Sequence, residues 1–118
     1  MKPEFGVYYA VYKNKKATDV VLTNFRKHFP DNPVVLISDG GDDFSDISEK
    51  FNCKYHYREN IFGLGNLDRD PYDSKRTIEW WDRQKLVCDE TGSDYIMIME
   101  DDVLAVSYTH LTLPTTLV

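Results

Sequence analysis

The sequence predicts an α/β protein built on an open, mainly parallel sheet with helices on both faces, and three observations predict it. Short apolar, β-prone runs recur along the chain. The segments between them carry apolar residues at helical spacing. Polar turns rich in aspartate and glycine follow the strands, at the end where parallel sheets open a ligand crevice.

The first strand is Phe5 to Tyr12, FGVYYAVY. Thr18-Asp19 then opens a helix whose apolar residues Val21, Leu22, Phe25 and Phe29 share one face, and Pro30 stops it. Val34 to Ile37 is a short continuous apolar strand, ended by the turn-forming run Ser38-Asp39-Gly40-Gly41. Phe44, Ile47 and Phe51 supply the next helical stripe, headed by Asp42 or Asp43 as a cap. Cys53, Tyr55 and Tyr57 alternate with Lys54, His56 and Arg58, the pattern of a half-exposed edge strand. A long helix is expected from Asp73 or Ser74 to Gly92, with Trp80, Trp81, Val87 and Cys88 on roughly one face. Tyr95 to Met99 is expected as a fully buried strand.

Composition narrows the function classes. The 118 residues suffice for one domain. A formal net charge of -6 argues against a nucleic-acid or anionic-membrane surface. No apolar run reaches the length of a membrane span and the N-terminus lacks the uninterrupted apolar stretch of a signal peptide, so the expected location is cytoplasmic. Cys53 and Cys88 are too few for a disulfide framework and too far apart for a CxxC metal site, and are expected as reduced, buried thiols. Neither His28 nor His56 has a recognisable serine or cysteine partner, which gives no support to nucleophilic hydrolysis.

The last strand runs into Glu100-Asp101-Asp102. Strand alternation sends Glu100 and Asp102 to one side and Asp101 to the other, placing two carboxylates within about 5 to 7 Å. At an effective dielectric near 20 their repulsion is roughly 2 to 3 kcal/mol. A divalent cation would remove that cost, and oxygen-only ligands suit Mg²⁺ or Mn²⁺, which take one or two carboxylates and fill their other positions with water and phosphate oxygens. The plain alternative is a solvated acidic turn.

The strand ending in Glu100-Asp101-Asp102 resembles the DxD-type motif of GT-A fold glycosyltransferases, and Ser38-Asp39-Gly40-Gly41-Asp42-Asp43 resembles the DDGSxD turn of their family-2-like members. The resemblance covers Phe5 to Leu104. It implies a Rossmann-like sheet of GT-A type, incomplete here, in which residues 1–104 bind a nucleotide diphosphate-sugar donor of UDP or GDP type. It further implies that Asp39 contacts the base or ribose, in either of two registers of the turn. Asp102 would be the main ligand of Mn²⁺ or Mg²⁺, aided by Glu100, while Glu100 or Asp101 would hold the ribose or a metal-bound water. Tyr12, just past the first strand, would stack on the base, or else serve as plain core. Arg83 and Lys85 read first as solvated helix positions and second as phosphate contacts. Gly63, Gly65 and Asn66, within Glu59 to Asp73, resemble a loop over the donor site.

Ala105 to Pro114, AVSYTHLTLP, resembles translated sequencing-adapter read-through, so residues 105–118 are expected to be a non-native tail. The acceptor site and any catalytic base of such enzymes follow the DxD strand, and the portion present is expected to be inactive alone. Two competing classes stay open. A non-catalytic nucleotide- or metal-binding α/β module of receiver type would want an acidic pair where Tyr12-Lys13-Asn14 stands. A sugar-nucleotide nucleotidyltransferase would want a glycine-rich basic loop, and Lys13 to Ala17 is basic without glycine.

Overall fold

In the computed structural model of the chain the described residues are 4–58 and 74–101, with only the backbone of 74–77. Asp102, the stretch Glu59 to Asp73 and the tail from 105 onward lie outside them. The elements are β1 (Gly6–Val11), α1 (Lys15–His28), β2 (Val34–Ser38), α2 (Ser45–Lys50), β3 (Lys54–His56), α3 (Ser74–Thr91) and β4 (Ile96–Met99).

The four strands form one all-parallel sheet in the order β3-β2-β1-β4, with Val7 opposite Val34 and Met97. This is the expected open α/β, Rossmann-like sheet. Alternation along the strands divides the core. Val7, Tyr9, Val11, Val34, Leu36 and Met99 meet Val21, Leu22 and Phe25 of α1, together with Phe44, Ile47 and Phe51 around α2. Tyr8, Val35 and Ile37 face the other way, onto Val87 of α3. Helices therefore cover both faces. The half-exposed alternation of Lys54 to His56 finds its counterpart in β3, an edge strand.

Helix α1 begins a turn earlier than Thr18-Asp19, because the Asn14 side chain accepts from the Ala17 N–H at 3.1 Å and caps it. Its end is closed by Arg26, which donates to the carbonyls of Phe29, Asn32, Phe51 and Asn52. Arg26, Lys27 and His28 also set positive charge against the negative end of the helix dipole. The Ser45 N–H and hydroxyl donate to the two oxygens of Asp43 at 3.0 and 2.9 Å, so Asp43 orders the entry to α2.

Two expectations are corrected. The buried side of α3 is Arg83, Gln84, Val87 and Thr91, and Trp80 and Trp81 point outward, with Trp81 62% exposed. The helix meets the sheet through its C-terminal half, where Thr91 packs so closely on Gly6 that a Cβ there would lie 2.5 Å from Thr91 Oγ1. That rotation puts Val87 inward and the indoles out. Strand β4 is likewise not fully buried: Met99 is in the core, but Ile98 is 52% and Tyr95 74% exposed. It lies at the edge of the described sheet, beside β1 alone.

Candidate functional site

In this strand order the chain steps outward from β1 to β2 to β3, then crosses back to place β4 on the opposite side of β1. The order reverses between β1 and β4, and the crevice at the carboxyl ends of such strands is where open α/β sheets bind ligands. Val11-Tyr12, Ser38-Asp39 and Met99-Glu100-Asp101 all end there.

Backbone hydrogen bonds join the β1 and β2 ends. The Asp39 N–H donates to the Val11 carbonyl at 3.0 Å, and the Asp42 N–H to the Tyr12 carbonyl at 2.9 Å. Gly40 and Gly41 adopt φ values of 80° and 77°. At Gly41 a Cβ would come within 2.1 Å of the Tyr12 carbonyl oxygen, so the turn can lie against Tyr12 only with glycine there. Tyr12 is half-buried, with Lys13 Nζ 5.3 Å from its ring centroid. Tyr12 and Asp39 are thus brought together.

The Asp39 carboxylate is nearly buried and accepts from Arg83 Nη2 at 3.3 Å. Arg83, read from sequence as a solvated position, is fully buried, and its Nε donates to Glu79 Oε1 at 3.0 Å. Burial opposes its charge, but hydrogen bonds with Glu79 and Tyr8 and the charge of Asp39 outweigh it and push the Arg83 pKa up. Burial raises the Tyr8 phenol as well, against the lowering effect of Arg83. Lys85 is exposed. Sequence reasoning missed the roles of Arg83, Tyr8 and Glu79; the available signal was the spacing of Arg83 at four and eight residues before Val87 and Thr91.

At the β4 end the Tyr9 hydroxyl donates to Asp101 Oδ1 at 2.7 Å, and the Thr18 hydroxyl lies 3.2 Å from the same oxygen. Asp101 is therefore tied to β1 and α1, on the side of the sheet that carries Met97 and Met99. Glu100 is exposed. Among the described residues no three His, Cys, Asp or Glu side chains are grouped to hold a metal ion. Glu100 is an exposed oxygen donor of the kind Mg²⁺ or Mn²⁺ takes, and such ions need only one or two carboxylates. The donor type fits.

In the acidic turn, the bonds from the Ser45 N–H and hydroxyl hold the Asp43 carboxyl below its usual range. Its role is to order α2. No helix among the described residues is long and apolar enough to cross a membrane.

No protein-family model and no curated protein matches the sequence. Among solved structures the chain is similar in fold to S. aureus TarS, with a TM-score of 0.56 and 18% identity over 86% of this chain. The chain spans 17% of the length of that protein.

Proposed function

We propose that the chain forms the donor-binding part of a metal-assisted glycosyltransferase that takes a nucleotide diphosphate-sugar donor of UDP or GDP type. The observation that carries this reading is that Tyr12, Asp39 and Asp101 follow the carboxyl ends of β1, β2 and β4, around the point where the strand order reverses, in a fold like that of a glycosyltransferase, S. aureus TarS. Asp39 accepts a hydrogen bond from the base or ribose, and Tyr12 offers its ring to the base. Asp101 holds the ribose or a metal-bound water, and Asp102 with Glu100 holds Mn²⁺ or Mg²⁺. When bound, the cation supplies Lewis acidity to the leaving diphosphate. The backbone bonds between the β1 and β2 ends hold Asp39 and Tyr12 in place before ligand arrives, which lowers the ordering cost of binding.

Titration calorimetry tests the reading. Mn²⁺ is expected to bind weakly alone and more tightly with UDP or GDP present, and Asp102→Ala to remove most of that coupling. Equal metal affinity in wild type and variant would discard the metal assignment. Metal binding with no nucleotide preference would favour a non-catalytic metal-binding module.

A further inference from the structure

Arg83 is the largest fully buried side chain among the described residues, and a buried guanidinium is costly unless its donors are met. Its ion-pair partners come from two elements: Nη2 reaches Asp39 at the end of β2, and Nε reaches Glu79 one turn earlier on α3. Arg58 Nη1 donates to the same Glu79 oxygen at 3.2 Å, which gives the alternating row Asp39, Arg83, Glu79, Arg58. The backbone on both sides of Asp39 is pinned too: the Arg58 N–H donates to Ser38 Oγ at 3.0 Å, and the Gly40 N–H donates to the Arg58 carbonyl at 2.7 Å.

Stability alone is a weak reason for such a row, since an apolar side chain of similar volume commonly packs as well or better. A planar fork that fixes a carboxylate in one orientation is what arginine provides and lysine does not. Direct phosphate contact is not open to Arg83, because none of its surface is exposed.

We propose that Arg83 is a positioning residue, which aims the Asp39 carboxylate at the nucleoside half of the donor without touching the donor itself. The proposal rests on the donor-site reading above. It requires that losing Arg83 harm recognition of the nucleoside and leave recognition of the diphosphate alone.

The test compares wild type, Arg83→Met, Arg83→Lys, Asp39→Asn and the double variant Asp39→Asn/Arg83→Met, each titrated with uridine, UDP, and inorganic diphosphate plus Mn²⁺. Arg83→Met is expected to weaken uridine and UDP about tenfold and leave diphosphate within about twofold. Arg83→Lys should recover part of the loss. The double variant should bind no more weakly than Asp39→Asn alone, because residues acting as one unit are not additive. Should Arg83→Met fail to fold, Arg83→Lys decides: a threefold or greater loss confined to uridine and UDP supports the proposal, and no loss overturns it. A loss shared equally by diphosphate means general loosening, and one confined to diphosphate means phosphate contact; either overturns it. A wild type that binds neither uridine nor UDP defeats the donor-site reading itself, a result distinct from a binding wild type matched by Arg83→Met.

Discussion

The Tyr9 hydroxyl, inside the core of β1, donates a 2.7 Å hydrogen bond to Asp101, ninety-two positions further on at the end of β4. Neither residue is remarkable in the sequence on its own, yet the bond fixes where the acidic turn leaves the sheet. Tyr9→Phe keeps the packed ring and removes only the donor. A hydrogen bond to an ionised group is worth about 1.5 to 3 kcal/mol. The variant should therefore lose stability at the lower end of that range, since Thr18 still lies beside the same oxygen. Urea unfolding reads the loss, and an unchanged midpoint would show that the bond does not form in solution.

Gly41 and Gly92 both sit at positive φ, 77° and 69°, but their surroundings differ. A Cβ at Gly92 meets nothing within 4 Å, whereas one at Gly41 meets the Tyr12 backbone. Gly92→Ala should cost the ordinary left-handed penalty of about 1 to 2 kcal/mol. Gly41→Ala should cost more than that, because the turn must also move off Tyr12. It should weaken UDP binding as well, and Gly92→Ala should not. Denaturation curves paired with UDP titrations separate the two variants.

The strand and helix order was legible because periods of 2 and 3.6 differ visibly even in short segments. The acidic turns were legible because aspartate and glycine have few other reasons to cluster after an apolar run. Burial was less so. A continuous apolar run such as Tyr95 to Met99 reads alike in the middle of a sheet and at its edge, and only the pairing of β4 with β1 alone tells them apart. The large apolar surface of the Trp80-Trp81 pair drew the inward face of α3 toward itself. What sets the rotation is the close approach of Thr91 to Gly6 and the ion pair of Arg83 with Asp39, both long-range contacts. A charged residue on a helix is usually solvated, so Arg83 reads like Lys85 unless its spacing at four and eight residues before Val87 and Thr91 is weighed.

Cys53, expected to be buried, is half-buried, and it is a free thiol. Burial pushes its pKa up from 9.0, only partly offset by the charge and hydrogen bond of Arg26. The folded state thus holds the proton more tightly than the unfolded chain. The associated stability is fully present below pH 9.0 and is lost as pH rises toward the folded value. Unfolding free energies measured between pH 8 and 10 should fall with pH in the wild type, and fall less steeply in Cys53→Ala. At pH 8 the folded thiol should react with a disulfide reagent more slowly than in the urea-unfolded chain. A thiol as reactive folded as unfolded would contradict the burial.

The three aspartates of the turn after β2 should separate by function. Asp39, held by Arg83 at the crevice, should on replacement by alanine weaken UDP binding more than Asp42→Ala or Asp43→Ala. Asp43 receives both bonds from Ser45, so Asp43→Ala should lower stability and leave UDP affinity unchanged. The pH dependence carries a definite sign. Bonds from the Ser45 N–H and hydroxyl depress the Asp43 pKa below 3.8, so its contribution is present above that value and disappears as pH falls through the lower folded one. Wild type and Asp43→Ala should accordingly differ in stability at pH 6 and converge in strong acid. Chemical-shift mapping with UDP supplies the other half of the test: shifts should centre on Tyr12, Asp39 and the end of β4. Shifts centred at the entry to α2, or a UDP affinity that falls as much for Asp43→Ala as for Asp39→Ala, would move the nucleotide away from the crevice and dissolve the donor-site assignment.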